Sequence, residues 1–156
     1  MKITAWRIYK PKHASTAFTG EGARRFGGRF NRKGVAVVYT AESVSLAALE
    51  MLVHLQSKQI LDAYVVRPVT FDAALVKRII PANLPPGWRD NPPPIDAQRI
   101  GTDWVACAES AVLQVPSAVV ESESNFLLNP SHADFSKVRL GPEHAYRFDP
   151  RLVKSR

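Results

Sequence analysis

The chain has 156 residues, 46% hydrophobic and 22% charged, the balance of one globular domain with a sizeable core. No run approaches the ~18 apolar residues of a membrane span, and Met1-Lys2-Ile3-Thr4-Ala5-Trp6-Arg7 lacks the long apolar stretch of a signal peptide. A net charge of +7 favours an acidic partner, and a single cysteine, Cys107, excludes an internal disulfide and points to the cytoplasm.

Thr4 to Tyr9 alternates as a strand that Pro11 ends, with Trp6 and Ile8 on one face and Arg7 and Tyr9 on the other. Arg7 is thus either solvated or aimed into a polar pocket. A mostly polar loop from His13 to Thr19 leads into Gly20–Gly34, which holds five Gly and five basic residues in fifteen positions. Glycine lets the backbone approach a ligand, and closely spaced arginines offer forked donors to phosphate or carboxylate. The stretch reads as a loop built to hold an anion, or as a Gly-rich hairpin with a solvated basic face. It runs into Val35–Thr40, read as a buried strand.

Ser43 to Ser57 reads as a buried helix with Ser43 as N-cap, apolar almost all round. Ser43, Glu50, His54 and Ser57 fall on one thin polar line, with Glu50 and His54 as i,i+4 neighbours. A carboxylate on a mostly buried helix must be paired, hydrogen-bonded or placed in a polar cavity, unless this line faces water. His54 is then a ligand-facing group or a structural histidine bonded to Glu50 or backbone.

Ala63 to Arg67 reads as a strand, with Pro68 marking an edge or an end. Leu75 to Ile80 is ambiguous between element types. Pro81 to Pro94 contains six prolines, one Gly and Trp88, and must be a long loop, either a covering flap or mobile. Thr102 to Ser110 reads as a short helix capped by Thr102 after Gly101, with Cys107 as a small core residue. Ala111–Val115, Ser117–Val120, Asn125–Pro130, Val138–Leu140 and Ala145–Phe148 read as strands. Ser117 opens one of them after Pro116, where it serves a turn or faces a site.

One Cys and four scattered His give no zinc spacing. Walker, dinucleotide-fingerprint and Gly-x-Ser-x-Gly patterns are absent, which disfavours phosphoryl transfer and serine hydrolysis. An Arg-rich loop, Tyr39 at a strand end, a lone carboxylate Glu50 and Ser117 remain. Together they suit cleavage of a glycosidic bond to a positively charged base. The leaving group departs neutral, so no general acid is needed, and the developing oxocarbenium ion needs a nearby negative charge.

The sequence resembles the RES-domain family, the toxins of RES–Xre toxin–antitoxin pairs. The resemblance runs through Trp6-Arg7-Ile8, Gly20-Glu21-Gly22-Ala23, Gly27-Gly28-Arg29-Phe30-Asn31, Val38-Tyr39-Thr40-Ala41 and Leu46-Ala47-Ala48-Leu49-Glu50. It continues through Leu84-Pro85-Pro86-Gly87-Trp88, Gly101-Thr102-Asp103-Trp104, Val115-Pro116-Ser117-Ala118-Val119-Val120 and Asn125-Phe126-Leu127-Leu128-Asn129-Pro130. It ends near Phe148-Asp149-Pro150-Arg151-Leu152. Phe30 stands where many relatives carry Trp.

The resemblance implies one RES domain over residues 1–156, a compact α/β (α+β) fold like that of ADP-ribosyltransferase toxins, with mixed or antiparallel sheets and flanking helices. It implies consumption of NAD+ as substrate, without a metal: nicotinamide is released with water or phosphate as acceptor, or ADP-ribose is transferred to a protein. It implies an Xre-like antitoxin that blocks the NAD+ pocket. Carried over residue by residue, the catalytic group is Arg29, Tyr39 and Glu50. Arg7 and Arg29 bind the phosphates or the nicotinamide-side ribose, Tyr39 contacts the nicotinamide ring, and Ser117, Asn125 and His54 line the pocket. A nucleic-acid-binding module built on the basic loop is the third reading. In the toxin reading, nucleic acid is reached only through the antitoxin.

Overall fold

Alternating apolar residues give β1 (Lys2–Tyr9) two working faces. Ala5 and Tyr9 pack on one, Ile8 and Trp6 on the other. The computed structural model describes residues 1–154, in which β1 lies near the middle of an eight-stranded, mostly antiparallel sheet. The strands are β2 (Val38–Ala41), β3 (Tyr64–Asp72), β4 (Val76–Arg78), β5 (Val112–Pro116), β6 (Ser124–Leu128), β7 (Arg139–Leu140) and β8 (His144–Tyr146). Their order is β4-β5-β6-β2-β1-β3-β7, with β8 also on β3 and only the β4–β5 pair parallel. With the flanking helices this is an α+β fold.

Two joints in this sheet are unlike. β1 and β3 match over eight consecutive pairs, from Lys2↔Asp72 to Tyr9↔Val65. β1 and β2 share one pair, Trp6↔Ala41. Beyond that point the two strands part, and the gap between them is where a cavity can open inside the sheet.

β3 runs straight through Pro68, where a strand end or edge was expected. The Pro68 carbonyl accepts from Gly141 N at 2.9 Å, so the missing N–H faces the same side, at the break between β7 and β8. No ladder bond is lost there, which is why an interior proline is tolerated.

Four helices flank the sheet: α1 (Glu21–Phe26), α2 (Val44–Leu52), α3 (Ser57–Ile60) and α4 (Ile95–Cys107). The Gly/Arg stretch is therefore not all loop; α1 occupies its first half, bracketed by the positive-φ Gly20 and Gly27. Ser43 caps α2 as expected, its Oγ accepting from Leu46 N at 3.0 Å. The helix stops at Leu52 rather than Ser57, and only one side of it is covered: Leu46, Ala47 and Ala48 are buried, while Leu49 is 41% exposed.

α4 begins seven residues before Thr102, directly after three prolines that set its start. Thr102 is interior to it and donates back to Gln98 O at 2.9 Å. Its Oγ1 also accepts from Arg32 N, tying the Gly/Arg stretch to α4. Gly101 is needed here because a Cβ would stand 2.0 Å from Phe30 O. Cys107, at the end of α4, is exposed rather than in the core. Ser117–Val120 forms a bend and not a strand.

The core divides into three clusters. Tyr9, Phe71 and Phe126 lead the first, and Ile8, Leu46, Tyr64 and Phe148 the second, beneath α2. Phe30, Trp88, Trp104 and Leu113 lead the third, beneath α4. Trp88 and Leu84 sink into that third cluster, so the Pro81–Pro94 segment is anchored over the domain. Fully burying one such large apolar side chain contributes about 1.5–3 kcal/mol. Among the described residues no helix is long and apolar enough to cross a membrane.

Candidate active site

A cavity of ≈ 770 Å³ opens at the parting of β1 and β2. Such a volume suits a small organic ligand of some size. Arg7 from β1, Arg29 from the turn after α1, Tyr39 from β2, Glu50 from α2 and Asn125 from β6 all line it. His54 lines it too, but from the exposed turn after α2, so the helical pairing with Glu50 is not made.

Glu50 is held from one side. Its Oε1 accepts from Ser117 Oγ at 2.6 Å and from Asn125 Nδ2 at 2.8 Å. Its hydrogen-bond partners among the described residues are these two, and no arginine is among them. Oε2 carries no hydrogen bond there. Ser117 is wholly buried and stands behind Glu50 instead of lining the cavity. Its Oγ accepts from Val119 N and Val120 N at 3.0 Å each, which leaves the hydroxyl proton for Glu50. The bend at Ser117–Val120 is what aims those two amides.

The two arginines are placed differently. Arg7 Nη1 donates to Tyr39 O at 2.8 Å, across the gap where β1 and β2 no longer pair, while Nε is buried with no hydrogen-bond partner among the described residues. Burial lowers the pKa of Arg7 from its ordinary range, and no carboxylate contact offsets it. The group nonetheless stays charged, because arginine starts so high. Arg29 Nη1 donates to Trp88 O and Asp90 O, both at 2.7 Å, and so clips the Pro-rich segment beside the cavity. Burial also lowers the Arg29 pKa, with the Glu50 charge the largest opposing influence. That influence places the carboxylate and the guanidinium in one electrostatic neighbourhood.

Tyr39 does more than border the cavity. Its hydroxyl donates to Asn31 Oδ1 at 2.7 Å and accepts from Phe30 N at 3.1 Å. Burial pushes its pKa far up, so it remains a neutral phenol. Gly28 passes so close that a Cβ would meet the Tyr39 hydroxyl at 2.7 Å. Asn31 is the hub that sequence reading missed. It is fully buried, and its Nδ2 gives to the carbonyls of Ala23, Arg32 and Val35. A polar residue amid so many glycines was the available signal. Arg89 was also missed: it lines the cavity from the Pro-rich segment and bonds Ala118 O and Glu121. Among the described residues no three His, Cys, Asp or Glu side chains group as a metal site would require.

Fold and site together define an α+β domain with a lone carboxylate sharing a cavity with Arg7 and Arg29 at a parting of its sheet. The family model described as RES domain matches residues 4–149, and the chain belongs to that family. It is 38% identical over 148 residues to "Toxin Res" of Yersinia enterocolitica, covering 94% of this chain and 97% of that protein. It is 36% identical over 159 residues to the "Prs ADP-ribosylating toxin" of Sphingobium sp., covering 99% of each. Its fold is similar to one in the crystal structure of the M. tuberculosis MbcT–MbcA toxin–antitoxin complex. There the TM-score is 0.76 at 19% identity, over 98% of this chain and 87% of that one.

Proposed function

We propose that this protein is the toxin of a toxin–antitoxin pair and that it consumes NAD+ by cleaving the nicotinamide–ribose bond. The observation that carries the reading is the state of Glu50: one oxygen is held by Ser117 and Asn125, while the other is free in a cavity shared with Arg7 and Arg29. Glu50 Oε2 bonds ribose hydroxyls and faces the carbon that becomes cationic. The C–N bonding pair leaves with nicotinamide, which departs neutral, and water or phosphate then attacks the oxocarbenium carbon. The unused donors of Arg7 and Arg29 hold the pyrophosphate. Tyr39 borders the departing ring.

Incubation of purified protein with NAD+ should release free nicotinamide, and Glu50→Gln should abolish the release while preserving the fold. Absence of release by the wild-type protein would overturn the reading.

Transfer of ADP-ribose to a cellular protein is the second reading, favoured by the likeness to the ADP-ribosylating toxin of Sphingobium sp.. Labelled NAD+ in a lysate separates the two. A discrete labelled protein band supports transfer, and free ADP-ribose or its phosphate supports cleavage alone.

The partner we infer is an Xre-like antitoxin seated over the cavity. Phe26 and Val53 line its mouth and are 73% and 59% exposed, which suits a protein partner. Co-expression with the neighbouring gene product should relieve growth arrest and protect NAD+. Nucleic acid then enters only through the antitoxin.

A further inference from the structure

We propose that residues 89–94 form a hinged wall of the cavity, that Arg89 latches this wall shut, and that a ligand held by Arg29 keeps the latch fastened. The ligand half rests on the NAD+-consuming reading; the latch itself is independent of what the cavity takes.

The wall is thin. Arg89, Asn91 and Pro93 border the cavity, yet Arg89 through Pro92 are exposed to solvent. It is fixed at its ends. Trp88 stacks on Phe30 in the core, with ring centroids 6.3 Å apart, and Ile95 opens α4. Between those anchors little backbone is paired. Among the described residues, the one N–H from 89 to 94 that reaches an acceptor is that of Asp90, on Gly87 O. Pro92, Pro93 and Pro94 have no N–H to offer. An exposed segment with so little paired backbone opens locally at low cost.

Side chains hold it instead. Arg89 Nε donates to Ala118 O at 3.0 Å, and Nη1 donates to Glu121 Oε2 at 3.1 Å. Ala118 lines the cavity too, so the Arg89 side chain bridges two of its walls. Both partners of the ion pair are about half exposed, at 46% and 52%, and such a pair contributes little. A bridge this weak is a poor strut and a serviceable latch.

Latch and cavity share a residue. Arg29 Nη1 holds Trp88 O and Asp90 O, the carbonyls that flank Arg89. Its other donors make no hydrogen bond among the described residues, which leaves them for an anion. An anion there fixes the guanidinium, and the fixed guanidinium holds the wall. The linkage is reciprocal: a ligand that favours the shut wall binds less well when the wall is open.

The test is the rate of tryptic cleavage after Arg89, read as the 1–89 fragment and normalised to a small arginine ester. Trypsin must take the Arg89 side chain into its own pocket, so it cuts when the latch is undone. Cleavage of the free protein should rise about two- to fivefold in Glu121→Ala. It should rise by a similar factor in the wild type between ~0.05 and ~1 M salt, and little in the variant. Rates that ignore both Glu121→Ala and salt overturn the latch. Saturating ADP-ribose should slow the cut about tenfold in the wild type and hardly at all in Arg29→Ala. ADP-ribose that binds, by calorimetry, without slowing the cut overturns the ligand half. Failure of ADP-ribose to bind to a protein that does release nicotinamide overturns the ligand half alone; failure of both sinks the NAD+-consuming reading as well. The two measurements without ligand decide the latch in either case.

Discussion

Ser117 Oγ lies 2.6 Å from Glu50 Oε1, although 67 positions separate the two residues. The serine is a positioning group. Its two acceptor sites are filled by Val119 N and Val120 N, so its proton has one place to go. Ser117→Ala strands both amides in a buried place, which costs about 1–3 kcal/mol, and frees the Glu50 carboxylate to rotate. Nicotinamide release should fall roughly tenfold or more with KM little changed, alongside a lower melting temperature. A full-rate Ser117→Ala enzyme would remove the serine from the site.

Arg29 clips Trp88 O and Asp90 O, the carbonyls on either side of Arg89. Arg29→Ala should therefore expose the Arg89–Asp90 bond. Limited trypsin digestion should cut there about tenfold faster than in the wild type, since cleavage tracks the open population. Unchanged digestion would show that Trp88 in the core holds the segment by itself.

Tyr39 carries a stability prediction with a sign. Its folded pKa is raised by burial, only partly opposed by the Phe30 N–H and by Arg29. A raised value means the neutral hydroxyl's contribution is complete below the ordinary tyrosine pKa of about 10 and is lost as pH climbs toward the folded value. Tyrosinate absorbance should show three of the four tyrosines ionising before the fourth. Tyr39→Phe should delete that last step and cost about 1–3 kcal/mol, because Asn31 Oδ1 and Phe30 N lose their partner.

Two glycines make a matched pair. Gly101→Ala would set a methyl 2.0 Å from the Phe30 carbonyl and should prevent α4 from docking, read as loss of a cooperative melt. Gly22→Ala, in α1 with nothing within 4 Å, should stabilise by about 0.5–1 kcal/mol.

Glu50 and Arg29 were legible as residue types, because a charge on an apolar helix and arginines among glycines each require an explanation; Asn125, and Arg7 as a cavity residue, came only from the resemblance to the RES family. The N-cap at Ser43 was legible because capping is local. What failed lay in element ends and in which way a side chain is turned. The helix α1 hides in a Gly-rich stretch because its ends are made by glycines at positive φ. The stop of α2 at Leu52 has no glycine or proline to announce it. Thr102 looked like a cap, yet three prolines further upstream had already started α4. Cys107 sits among apolar neighbours in sequence but on the outer side of a helix end in space. Ser117 was expected on the cavity wall; the bend after β5 turns it to the back of Glu50 instead.

The lone Trp6↔Ala41 rung gives the sheet a mechanical property. One leaf carries β1, β3, β7 and β8 with Arg7, and the other carries β2, β4, β5 and β6 with Tyr39 and Asn125. With one backbone rung between them, side chains hold the leaves together: Arg7 Nη1 donates to Tyr39 O and Phe71 packs on Phe126 across the seam. A molecule gripped by both would act as a rivet, slowing amide hydrogen exchange along β1 and β2 far from where it is touched.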